Sequence, residues 1–160
     1  MIKKIISLTL FAFSFHSLSA QTVINRDKEI EQMVKEVSPD SLRACINSMV
    51  AFGTRNSLST QTNPSRGIGA ARNWVPQKFN SFAAQSNGRL TAIIDTTTLQ
   101  PDKKRIDTAT ILGNVVATLK GTDPNDKRVF IISGHLDNMR SNVMDKINDA
   151  PGANDDGSGC

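Results

Sequence analysis

The chain has 160 residues, 38% apolar and 21% charged, with a formal net charge of +4. Lys3 and Lys4 precede an apolar run from Ile5 to Phe15 and a small-residue exit at Ser17, Ser19 and Ala20, the layout of a secretory signal peptide and too short for a membrane span of ~20 apolar residues. Without residues 1–20 the length falls to 140 and the cations to 17 against 15 acids, a net charge of +2. That leaves no clustered basic face for nucleic acid, and Phe52, Trp74, Phe79, Phe82 and Phe130 are too few for a base-stacking platform. Cleavage near Ala20 exposes no cysteine for lipid attachment, so the expectation is an exported protein, periplasmic or secreted, with no stable membrane anchor.

In chain order, Ile30, Met33, Val34 and Val37 recur at helical spacing and predict a short first helix. Ser38-Pro39-Asp40 reads as an N-cap, a proline at the first helical position and a dipole-favoured acid. Leu42, Cys45, Ile46, Met49 and Val50 continue the apolar face of that second helix, and Gly53 ends it in a left-handed conformation. Residues 54–66 are polar, carry Pro64 and read as a surface loop. A third helix is expected over Ile68 to Phe82, with Ala71, Trp74, Val75 and Phe79 inward and Pro76 kinking or dividing it.

After Gly88 the period changes to two. Leu90, Ala92 and Ile94 alternate within Arg89 to Asp95, followed by a polar stretch to Thr108. Asn114 to Lys120 and Arg128 to Ser133 are β-rich, and the turn chemistry between them predicts that they pair antiparallel. Val129-Phe130-Ile131-Ile132 is continuously apolar and suits a strand buried on both faces. Helices followed by strands indicate an α/β layered domain. Cys45 and Cys160 permit one disulfide in an oxidising compartment, but Cys45 lies on a helix's apolar face, where a free thiol is as ordinary, so their pairing stays open.

The last predicted strand runs into Gly134-His135-Leu136-Asp137. His135 is the only histidine outside the leader, which rules out sites built from two histidines. Residues i and i+2 of an extended chain share a face, so Asp137 can reach the His135 ring, and a carboxylate there fixes the tautomer and raises the basicity that a metal ligand needs. Further on stands Ala150-Pro151-Gly152-Ala153-Asn154-Asp155-Asp156-Gly157-Ser158-Gly159. Adjacent carboxylates repel, and a dication relieves that cost. The spacing fits neither an EF-hand loop nor, at Gly67-x-Gly69, a dinucleotide fingerprint.

Taken together, Gly-His-Leu-Asp after a strand and Ala-Pro-Gly-Ala-Asn-Asp-Asp-Gly-Ser-Gly further on, with seventeen residues between Asp137 and Asp155, resemble the zinc-dependent exopeptidase family of bacterial leucyl aminopeptidases, whose fold glutamate carboxypeptidases and glutaminyl cyclases share. Phe52-Gly53-Thr54-Arg55, Gly67-Ile68-Gly69-Ala70-Ala71-Arg72-Asn73-Trp74 and Gly113-Asn114-Val115-Val116-Ala117 agree with it. The resemblance implies a three-layer αβα fold with a mixed central sheet, two zinc ions per complete site, and hydrolysis of N-terminal peptide bonds by a metal-activated water. By it, His135 binds one zinc, Asp155 bridges both, Asp137 orients His135, and Asp156 follows the bridge across a peptide that is often cis.

The family's general base belongs to a Glu-Glu pair, yet the only glutamates are Glu29, Glu31 and Glu36. The expectation is therefore that residues 21–160 are the N-terminal portion of a catalytic domain, truncated at the C-terminus and inactive alone. Peptide or protein N-termini are the expected substrates. A glutaminyl cyclase of the same fold, a non-catalytic peptidase-like binding protein, and a small complete domain with an accidental motif are the competing readings.

Overall fold

The computed structural model describes residues 26–160, so the leader and its cleavage site lie outside the described residues. No helix among the described residues is long and apolar enough to cross a membrane. The chain divides into two units at Ser38. In the first, α1 runs Lys28–Glu36, and Asp27 caps it by accepting a 2.8 Å hydrogen bond from the Glu29 N–H. Its apolar stripe of Ile30, Met33 and Val34 is exposed within that unit.

The second unit carries everything else. Helix α2 spans Pro39–Ala51. It stops at Gly53, whose φ of +71° is the left-handed conformation that glycine adopts freely, with the Gly53 N–H on the Val50 carbonyl at 3.0 Å. Met49 is its one buried residue, and Leu42, expected on the inner face, is exposed. Helix α3 runs unbroken over Gly67–Ala83. Pro76 does not divide it, because a proline there removes a single N–H while the turns on either side keep theirs. The buried part of α3 is its first two turns, Gly67 to Arg72; of the predicted stripe Ala71 is fully buried, Trp74 and Val75 are half-buried, and Phe79 is exposed.

Strands β1 (Leu90–Leu99) and β2 (Thr110–Leu119) pair antiparallel with Leu90 opposite Leu119 and Leu99 opposite Thr110. The alternation holds: Leu90, Ala92 and Ile94 are half-buried, with Ala92 opposite Ala117 and Ile94 opposite Val115. Helix α3 packs against both strands. Arg72 crosses to them, donating to the Ile111 carbonyl at 3.2 Å and to Gln61 Oε1 at 2.9 Å. Gly113 leaves room for it, since a Cβ there would fall 2.4 Å from the Arg72 Cδ.

Two strand expectations are overturned. β2 pairs with β1, which the threonines at 96–98 extend to a ten-residue partner along one edge of β2, and not with residues 128–133. Residues 128–133 form no strand, and Val129 and Ile132 are 80% and 99% exposed instead of buried. A strand is buried on both faces only when layers cover both, and among the described residues nothing covers this run. The observed architecture is thus helices followed by a two-stranded antiparallel sheet, an α/β arrangement in which neither a mixed sheet nor a third layer is present among the described residues.

The surface-loop expectation for 54–66 holds for the second half, where Thr60 and Thr62 to Ser65 are exposed, and is overturned for the first half. Thr54, Arg55, Asn56 and Ser59 are buried, and Arg55 is 0% exposed. Beside them the apolar core is small: Met49, Ile68, Ala70, Ala71 and Ala150. This interior is held by hydrogen bonds as much as by apolar contact, and among the described residues every buried side-chain nitrogen and oxygen has a partner.

Candidate metal centre

Three separate stretches meet around the two motifs. The first is the turn after α2. Its Gly53 carbonyl accepts from the Ala150 N–H at 2.9 Å, and its Arg55 carbonyl accepts from the Asn138 N–H at 3.3 Å. The second is Gly134–Asn138, and the third is the turn from Ala150 to Gly159. Asn138 links all three, accepting the Arg55 N–H at 2.7 Å and donating to the Ala150 carbonyl.

Arg55 is the hub of this joint. Its Nε donates to the Leu136 carbonyl at 2.8 Å, one terminal nitrogen to the Met49 and Pro151 carbonyls at 2.9 Å each, and the other to the Gly152 carbonyl at 2.9 Å. A guanidinium offers five N–H donors in a rigid fork, and here the side chain spends them on backbone alone. Burial lowers its pKa, while Cys160, Asp137 and Asp156 push it back up. It stays charged, since an arginine cannot be deprotonated in a protein.

On this joint sit the predicted residues. The His135 Nδ1 lies 3.0 Å from the Asp137 carbonyl and 3.3 Å from its Oδ1. The i, i+2 geometry read from the sequence is therefore present, with the backbone carbonyl added to the carboxylate. Ser57 donates to the other Asp137 oxygen at 3.0 Å, which fixes that carboxylate in turn. The His135 Nε2 faces Asp155 Oδ1 at 3.2 Å and Asp156 Oδ2 at 3.7 Å, and Asp156 also accepts from the His135 N–H at 3.3 Å. The Asp155–Asp156 peptide is cis. The His135 pKa is raised, first by its bond to the Asp137 carbonyl, then by the negative charge of Asp156 and Asp137.

The Gly134 and Gly159 backbones touch here. A Cβ on Gly134 would fall 2.2 Å from the Gly159 carbonyl oxygen, so only glycine permits this approach. Cys160 reaches the same corner, its thiol donating to the His135 carbonyl at 2.9 Å, and its pKa is raised by burial. Cys160 and Cys45 are both free.

In kind, an imidazole nitrogen and carboxylate oxygens are donors that suit zinc. In number they are part of a shell: among the described residues no group of three or more His, Cys, Asp or Glu side chains is arranged to hold a metal ion. His135 is 56% exposed and the Asp155 side chain 90%, so the Nε2 and the carboxylate open to solvent. A cavity of about 310 Å³ is lined by Asp137 and Asn138, by polar groups such as Asp102 and Arg105, and by apolar ones such as Leu58 and Leu99.

Residues 114–160 match the model of peptidase family M28. That M28 match contains both motifs and the loop between them. Over 133 residues the chain is 44% identical to a probable zinc metalloprotease of Pyricularia oryzae, covering 83% of this chain and 26% of that one. It is 41% identical over 133 residues to a probable zinc metalloprotease of Leptosphaeria maculans, with 83% and 30% covered. A third, from Pyrenophora teres f. teres, is 42% identical over 134 residues, with 83% and 29% covered. The chain thus spans under a third of the length of these curated relatives. They are fungal zinc metalloproteases by name, so the support is for M28 peptidases broadly and not for the bacterial leucyl aminopeptidases in particular. No solved structure matches the chain.

Arg55, Ser57 and Asn138 were not singled out as site residues from their pattern. Arg55 and Ser57 lie in a polar run with no periodicity, and the partners that tie them to the two motifs are 80 or more residues away. The one signal was that Phe52-Gly53-Thr54-Arg55 agreed with the family resemblance.

Proposed function

We propose that the protein carrying this chain is an exported zinc-dependent aminopeptidase that hydrolyses N-terminal peptide bonds, and that these residues supply one terminal zinc ligand, His135, and the bridging ligand, Asp155. One observation carries the reading: His135 is held at Nδ1 by Asp137 while its Nε2 faces Asp155 across a turn that lies within the M28 match. The names of the relatives support zinc, and the chemistry of the donors agrees.

In this reading Asp137 keeps the His135 tautomer that leaves Nε2 free to ligate, and Ser57 holds Asp137 in place. Asp156 anchors the turn to the His135 backbone, which aims Asp155. When bound, zinc supplies Lewis-acid polarisation of the scissile carbonyl and a nucleophilic water at neutral pH. The remaining ligands and the glutamate base are supplied by residues outside these 160, and the 160-residue chain alone is inactive.

The test is zinc stoichiometry and hydrolysis of aminoacyl-p-nitroanilides by the product of the full reading frame. Two zincs per molecule and chelator-sensitive hydrolysis are expected, with loss of both in His135→Ala and Asp155→Ala. Unchanged zinc content in both variants refutes the ligand assignment. Zinc binding with cleavage only inside blocked peptides refutes the aminopeptidase assignment.

A further inference from the structure

Outside the donors, the most heavily committed polar side chain at this centre is Arg55. It is fully buried, yet it makes no hydrogen bond to an acidic side chain. A buried cation ordinarily pairs with a carboxylate, and carboxylates are near, because the charges of Asp137 and Asp156 act on it. Instead the guanidinium bonds four carbonyls: Met49 at the end of α2, Leu136 between His135 and Asp137, and Pro151 with Gly152 in the turn that carries Asp155.

The Leu136, Pro151 and Gly152 carbonyls belong to the two backbones whose separation sets the distance from His135 Nε2 to the Asp155 carboxylate. Both donors are largely exposed, so apolar packing does not hold them in place. Asn138 repeats the connection one step along, from the Arg55 N–H to the Ala150 carbonyl.

We infer that Arg55 is a positioning residue: its guanidinium, through the carbonyls of Leu136, Pro151 and Gly152, sets the spacing of His135 and Asp155 and so the affinity of the centre for its metal. The inference rests on the ligand assignment proposed above. A lysine at position 55 keeps the charge but has a single point of attachment in place of the planar fork. Its three donors share one nitrogen and cannot reproduce the fork's span between the two backbones, so the spacing relaxes while the interior stays charged.

The test uses the protein from the full reading frame, with zinc and cobalt affinity measured by competition against a chelator, and the visible absorption of the cobalt form. Arg55→Lys should weaken metal binding by about 10- to 100-fold, the usual effect of losing a partner that orients a ligand, and should shift the cobalt bands. Ile68→Ala, at a buried position away from the donors, serves as the stability control and should change affinity by no more than about twofold, as expected for an independent site. If Arg55→Lys does not fold, Asn138→Ala decides, with the same direction of effect expected.

Two results overturn the inference. One is unaltered affinity and spectrum in Arg55→Lys, or in Asn138→Ala where that variant decides. The other is a loss in Ile68→Ala as large as that in the decisive variant, which would make Arg55 merely structural. If His135→Ala binds metal like the parent, it is the ligand assignment that fails.

Discussion

Replacing Arg55 with methionine tests how this interior is held together. Methionine keeps much of the apolar stem and removes the fork, so the four carbonyls of Met49, Leu136, Pro151 and Gly152 lose their donor. A hydrogen bond to a charged group contributes about 1.5–3 kcal/mol, and a buried polar group left unpaired costs about 1–3 kcal/mol. Only the Met49 bond is fully buried; the other three are partly buried and can recruit water. Counting the Met49 carbonyl at full cost and the others at a fraction, and allowing for the relief of a desolvated charge, gives a loss of about 3–5 kcal/mol. That is a large share of the ~5–15 kcal/mol by which domains of this size are stable. Urea unfolding followed by the fluorescence of Trp74, which stands edge-on to Phe52 with ring centroids 6.3 Å apart, reads the change. A midpoint shift worth less than about 1 kcal/mol would show that solvent or neighbouring groups replace the fork, and the account of a hydrogen-bonded interior would be wrong.

Gly69→Ala should destabilise although alanine is the better helix former. The helical gain is about 1 kcal/mol, but the new Cβ would lie 2.1 Å from the Gln61 carbonyl oxygen, a backbone atom that cannot swing aside. A net loss of about 1–3 kcal/mol in thermal or urea unfolding is expected; a stabilised variant would refute the close approach. The Asp102 carboxyl accepts the N–H groups of Lys104, Arg105 and Ile106 at 2.8 to 2.9 Å, and these bonds, that of Ile106 first, hold its pKa below the ordinary value. The charged form therefore favours the folded loop, whose stability is present above the ordinary carboxylate pKa and is lost as pH falls through the lowered one. Relative to the intrinsic exchange rate, amide protection at 104–106 should fall only under acid conditions, and Asp102→Ala should show the low protection already at neutral pH. Ile131→Lys should raise the soluble yield of the 160-residue chain, because the uncovered run Val129–Ile132 invites edge pairing between molecules; equal aggregation of both forms would place the liability elsewhere.

What could be read in the amino-acid order was what local chemistry controls. The second helix announced itself by its apolar period, its proline and its terminal glycine, and the start of β1 by strict alternation at Leu90, Ala92 and Ile94. His135 and Asp137 meet because i and i+2 of an extended chain share a face, which needs no tertiary information. Arg55 was illegible for the opposite reason. A polar run beside a proline resembles solvent-exposed chain, and only carbonyls brought in from as far as Gly152 make it an interior. The strand at 129–132 failed likewise, since its apolar run specifies a buried environment that these residues cannot build for themselves.

The bonds of Arg55 also have a place in time. Strands β1 and β2 are joined by the local loop 100–109 and can pair within about 1–10 μs of leaving the ribosome. The bond from Arg55 to Gly152 spans 97 positions, and at ~5–20 residues per second the chain needs roughly 5–20 s to make that stretch. For those seconds a guanidinium destined for the interior stays in water, and the turn that carries Asp155 does not yet exist. The meeting of His135 with Asp155 is thus the last local structure these residues can complete: the hairpin is present first, and the two side chains take their positions only once synthesis has passed the second motif.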